Sequence, residues 1–100
     1  MGDAIEGKQD MMAAGEILDQ AGKEMGDRAI HYDQPEGERS MAKTVLMFNI
    51  LTGNEITETE GWHFMSLLKK VRSTQGAYRA DNHIDEAAYA ALAGESASKL

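Results

Sequence analysis

The chain has one hundred residues, a net charge of −7 and no cysteine. A chain of this length makes a single domain, here residues 1–100. Without thiols it can hold neither a disulfide frame nor a cysteine zinc site, which fits a reducing compartment. No apolar run approaches the roughly 18 residues of a membrane span. The opening MGDAIEGKQD lacks the basic and apolar regions of a secretory signal, so the expectation is a cytoplasmic protein.

Valine occurs only twice, against seven methionines and 14 alanines, a balance that favours helices over sheets. The negative charge is one-sided. Residues 1–38 carry ten acids and three bases, whereas the seven acids and seven bases of residues 39–100 cancel. A surface of this kind repels nucleic acid and attracts basic protein surfaces. It is also what a well-hydrated soluble helix carries.

Taken in order, residues 1–10 have few apolar anchors and read as frayed, as does the tail from 95 to 100. Over residues 11–25 the positions Met11, Ala14, Ile17 or Leu18, Ala21 and Met25 follow a helical period, with Gly26 as the expected stop. Residues 26–37 read as an ordered loop whose Ile30 and Tyr32 tuck beneath the helices. Residues 38–51 are nearly continuous in apolar side chains, and a helix apolar on most sides is either central or covered by another chain. Thr52-Gly53-Asn54 ends it.

The stretch 57–72 is the one that the rest is expected to cover. Trp62, Met65, Leu68 and Val71 recur at helical spacing, widened by Phe64 and Leu67. Thr57 and Glu60 have the spacing of a capping box, and the run from Lys69 to Arg72 complements the far end of the helix dipole. After a loop at Gln75-Gly76-Ala77, Asp81 or Asn82 is placed to cap a last helix with inner face Ile84, Ala87 or Ala88, Ala91 and Leu92, closed by Gly94. The sum is an all-α chain: a compact bundle of four main helices, an ordered loop between the first and second, and no strand.

Two groupings carry possible chemistry. Asp81 and Asp85, four apart, share one face of the first turn of the last helix, where they could hold a divalent cation or serve the helix dipole. Lys69, Lys70, Arg72 and Arg79 form the one basic cluster, able to grip a phosphate or to complement a helix C-terminus. Arg72 is placed to pair with Asp81 or Asp85. His31, His63 and His83 lack metal-site spacing, and His63, beside Trp62, reads as a partly buried packing residue. Glu55 and Glu58 straddle the cap at Thr57. No nucleophile elbow or glycine-rich phosphate loop is present.

The order Gly26-Asp27-Arg28, Tyr32, Pro35, Glu55-Ile56-Thr57, Lys70, Arg72, Asp81, Asp85, Tyr89 resembles a small all-helical family of unknown function found in tailed phages and prophages, over about residues 14–93. That family is in turn distantly similar to all-helical nucleotide pyrophosphohydrolases. The likeness implies magnesium at Asp81 and Asp85 and phosphate contacts from Lys70 and Arg72. The chain departs from the pattern at Tyr32-Asp33, where the family has Tyr-Gly, and at Glu86, which falls in an apolar slot. A second Glu-x-x-Asp is missing, which leaves the metal cage of the pyrophosphohydrolases incomplete.

Two functions follow as expectations. The first is a phage or mobile-element accessory protein, similar to several anti-CRISPR proteins, acting without a cofactor in the host cell cytoplasm. It would block a host nucleic-acid-binding machine, a type I CRISPR surveillance complex for example, by meeting its basic protein surface through Asp10, Glu16, Asp19, Glu24, Asp27, Asp33, Glu36 and Glu38. No direct nucleic acid or membrane contact is implied, and the protein is a monomer or a homodimer paired through its apolar second helix. The alternative is a magnesium-dependent enzyme like a nucleoside triphosphate pyrophosphohydrolase, built on Asp81, Asp85, Lys70 and Arg72.

Overall fold

A computed structural model describes residues 11–34, 37–38 and 40–99. Four helices follow one another: α1, Ala14–Tyr32; α2, Ser40–Thr52; α3, Glu58–Ser73; and α4, Ala80–Ser98. Between α1 and α2, β1 (Asp33–Gln34) pairs antiparallel with β2 (Gly37–Glu38), Asp33 opposite Glu38 and Gln34 opposite Gly37. The molecule is an all-α bundle, and this two-residue ladder is the one departure from the strandless expectation among the described residues.

The helix boundaries depart from the glycine punctuation. α1 runs through Gly26 to Tyr32 and α4 through Gly94 to Ser98. A glycine in a helix interior costs only about 1 kcal/mol, and neither position has the positive φ that a glycine stop uses. Gly53 does, at φ 74°, and α2 ends beside it as the sequence indicated. Because α1 continues, Ile30 stands 78% exposed on it instead of folding beneath the helices; the side chain of Tyr32 lies outside the described ones.

The capping box at α3 is complete. The Glu60 amide donates to Thr57 Oγ1 at 3.1 Å, and the Thr57 amide donates to Glu60 Oε1 at 2.8 Å. α4 has no such device. Its cap residue is Arg79, not Asp81 or Asn82, and no side chain there accepts from the first turn.

α4 is the central helix. Along one side it runs antiparallel to α3, with Thr59 and Ser96 hydroxyls 2.7 Å apart near one end, Trp62 stacked on Tyr89 at 5.9 Å, and Lys69 on Asp85 at 2.9 Å near the other. Its other side meets α1 through Ile84 and Ala88 against Ala21. Ala21 and Ala88 are both buried in this contact. Met25 packs against both this cluster and the one formed by Met41, Val45, Trp62, Leu92 and Ala93.

α2 is not central. Only Met41 and Val45 among its side chains are buried, and they sit over Gly61 of α3. A Cβ at Gly61 would lie 2.6 Å from Met41 Sδ and 2.7 Å from Val45 Cγ2, so the absence of a side chain there is what seats the helix. Asn49 fixes its other end. The side-chain amide donates to the Ile56 carbonyl at 3.0 Å and accepts from the Ile56 amide at 3.1 Å.

These contacts predict opposite outcomes for two glycine-to-alanine changes, read by urea denaturation at one protein concentration. Gly61→Ala forces Val45, β-branched and held to one helical rotamer, out of place and is expected to cost about 1–2 kcal/mol net of the gain in helix propensity. Gly94→Ala meets nothing within 4 Å and is expected to gain about 0.5–1 kcal/mol.

Candidate functional site

Where α3 ends and α4 begins lies a cleft of about 350 Å³. Lys69, Arg72, Gln75, Arg79, Asp81, Asn82 and Asp85 line it. The turn is shaped by Thr74, whose amide bonds the Val71 carbonyl at 3.0 Å, and by Gly76 at φ 71°, a conformation other residues rarely adopt. The stack of Tyr78 on His83, 5.6 Å between ring centres, closes the turn from outside.

Charges within the cleft are unequally matched. Lys69 is largely covered, its side chain 14% exposed, and pairs with Asp85. Arg72 and Arg79 are exposed and pair with no described residue. Asp81 is exposed at the rim. Asn82 is only 8% exposed, yet its side-chain amide makes no hydrogen bond to any described residue. A buried amide without a partner costs on the order of 1–3 kcal/mol. Beside it, the first amides of α4 lack a side-chain acceptor, at the end of the helix where the dipole favours negative charge. Two free guanidiniums, an amide in want of a partner and an uncapped helix start together suit an anion.

Magnesium is a poorer fit. It needs several oxygen ligands in near-octahedral array. Asp85 already gives an oxygen to Lys69, Asp81 stands at the rim, and among the described residues no three Asp, Glu, His or Cys side chains come together to hold a metal. The donor set does not fit a resident divalent cation.

Asp81, Asp85 and Arg72, singled out in the sequence, all line this cleft. Lys70 is not with them. It points to Glu86, which also accepts from Ser66 at 3.5 Å, so Glu86 is a tie between α3 and α4 at the position where the resembled family has an apolar slot. Lys69, one residue earlier, takes the place in the cleft. Asp85 pairs with this lysine and not with Arg72. Nothing in the sequence marks Gln75 or Asn82 as a site residue. Burial of Asn82 is the signal that marks it, and burial is a tertiary property. His63 is exposed and not the partly buried packing residue that its place beside Trp62 indicated; His31's side chain lies outside the described ones.

Of the acids assigned to a partner surface, Glu16, Asp19 and Asp27 stand exposed on α1, with Glu24 half-buried at their margin. Their spacing, with Lys23 between them, places them opposite the Ile17, Ala21, Met25 face that packs on α4. Asp10 and Glu36 lie outside the described residues, as do the side chains of Asp33 and Glu38.

Fold and cleft together define a small all-α protein with an anion-compatible recess at one end of an antiparallel helix pair. Residues 16–97 match the family described as Domain of unknown function (DUF6378). The chain belongs to that family, and the match spans all four helices, from the first turn of α1 to the last of α4. No curated protein and no solved structure matches it. No helix among the described residues is long and apolar enough to cross a membrane.

If the Asn82 amide is kept for a ligand at the expense of stability, an apolar side chain of similar size relieves the cost. Asn82→Leu is expected to raise the free energy of unfolding by about 1 kcal/mol, seen as a higher urea midpoint with unchanged slope.

Proposed function

We propose that this protein binds a phosphoryl-bearing small molecule, of the nucleotide or polyphosphate class, in the cleft between the end of α3 and the start of α4. The observation that carries the reading is the pair of guanidiniums, Arg72 and Arg79, that have no partner among the described residues and line one recess with the buried Asn82 amide. Guanidinium groups grip phosphate oxygens through paired donors, and the start of α4 adds backbone amides of the right polarity. The Lys69–Asp85 pair holds the lysine in place along the wall. Asp81 would repel a bare polyphosphate. A metal ion carried in by the ligand itself would turn that carboxylate into an attractive one. The function is therefore stated as binding, with turnover to be measured.

Calorimetric titration with pyrophosphate and with nucleoside triphosphates, each with and without magnesium, tests the proposal. Arg72→Ala and Arg79→Ala are each expected to weaken binding by about 10-fold or more, the loss of one or two charged hydrogen bonds. Wild-type protein that gives no heat with any of these ligands at millimolar concentration overturns it. A phosphate-release assay on the same mixtures separates hydrolysis from binding.

A second reading is favoured by the alignment of Glu16, Asp19 and Asp27 on the outer face of α1. On it, the protein is a phage or mobile-element accessory factor whose acidic helix covers a basic surface of a host defence machine, with a type I CRISPR surveillance complex as the leading case. Steered association of that kind slows steeply as salt rises. An association rate with such a complex that is the same at low and high ionic strength removes the second reading, as does full binding by a triple variant with Glu16→Gln, Asp19→Asn and Asp27→Asn.

A further inference from the structure

The largest unexplained feature lies away from the cleft, on α2 and the neighbouring flank of α3. With Met41 and Val45 turned inward, the opposite arc of α2 presents Leu46, Met47, Ile50 and Leu51 to solvent, each between 59% and 77% exposed. On α3, Phe64, Leu67 and Val71 follow the i, i+3, i+7 spacing of one stripe and are 54% to 68% exposed. Phe64, Leu67 and Val71 lie about 60°, 120° and 80° round the helix from Gly61, which seats α2, so this stripe flanks the seat of α2. Exposed apolar area of this extent on a small chain marks an interface.

We infer that this face is where a second copy of the chain binds, forming a two-fold dimer with the two α2 helices packed against each other. Area is the first ground. Seven side chains at roughly 100 Å² each, with half-exposed Phe48 at the edge, supply about 800 Å² per protomer, the amount a stable two-chain interface buries on each side. Charge is the second. α2 contains no acid and a single base, Lys43, on a chain whose net charge is −7. A basic partner would be drawn to the acids of α1 and has nothing to pair with here, whereas a second copy, itself acidic, can come close only where acids are absent. The third ground is the unfinished core. No large side chain among the described residues is fully buried, and a twin docked on α2 would complete the cover over a helix that has more than half its circumference bare. An isologous contact of this kind needs only one self-complementary patch, and Met47 can adapt to the fit.

Sedimentation or light scattering over a dilution series is expected to give twice the chain mass of 10.9 kDa. Ile50→Asp and Phe64→Asp, from the two halves of the face, are each expected to return it to the single-chain mass with helical content retained by circular dichroism. Because either variant could lose its fold, a second measurement uses the absence of cysteine. Met47→Cys and Ile50→Cys should form a disulfide-linked dimer under mild oxidation, at least 10-fold faster than Ser98→Cys at the exposed end of α4. Wild-type protein that stays at 10.9 kDa up to 100-micromolar concentration, a dimer indifferent to both aspartates, or cysteines that cross-link no faster than the control would each overturn the inference. A single-chain mass at every concentration would leave the face to some other protein.

Discussion

Trp62 of α3 lies against Tyr89 of α4, and this stacked pair sits within the most extensive helix–helix contact of the molecule. Rings at that distance are held by dispersion and by their offset quadrupoles, with most of the gain coming from the area both remove from water. Once the stack is made, an antiparallel pair has only its rotation and sliding left to settle. The polar ties remove both. Thr59 with Ser96 on one side of the stack, and Lys69 with Asp85 and Lys70 with Glu86 on the other, fit a single register. Ion pairs at half-exposed positions contribute little to stability; their effect here is to choose among alignments that an apolar stripe alone would leave nearly equal.

The cleft is a product of that register. With Lys69 committed to Asp85 and Lys70 to Glu86, the last turn of α3 is fixed against the first turns of α4, and the side chains beyond the pairs have no partner left across the gap. Among the described residues Arg72 and Arg79 have no partner, because Asp85 is paired with Lys69 and Asp81 stands at the rim. The basic end of α3, arranged by sequence to suit its own dipole, thus comes to face the uncapped, electropositive start of α4. Two like potentials in one recess are tolerated by water and improved by an anion.

Much of this was legible in the chain. Thr57 and Glu60 gave the start of α3 because a capping box is a local device, complete within four residues. Trp62 as a core anchor and the four-helix count followed from periodicity. The failures share a cause. Gly26 and Gly94 look like stops in the sequence, although a glycine ends a helix only where the chain beyond it turns away. Phe64, Leu67 and Val71 have the same spacing as buried residues, and nothing in a single sequence tells which part of a broad stripe a neighbour will cover. Lys69 and Lys70 point about 100° apart on the helix; choosing between them needs the position of α4. Short polar residues near a helix start usually cap it, but Asn82 lies inside the first turn of a helix whose cap residue is Arg79, and it is buried there.

Asn49 spends both ends of its amide on the backbone of a single residue, Ile56. An aspartate there would lose the donor, a glutamine would overshoot by a methylene, and a leucine would leave the Ile56 groups unanswered in a half-buried spot. The direction in which α2 leaves the body, and hence what its outer face can meet, is therefore written into one position that admits a single amino acid.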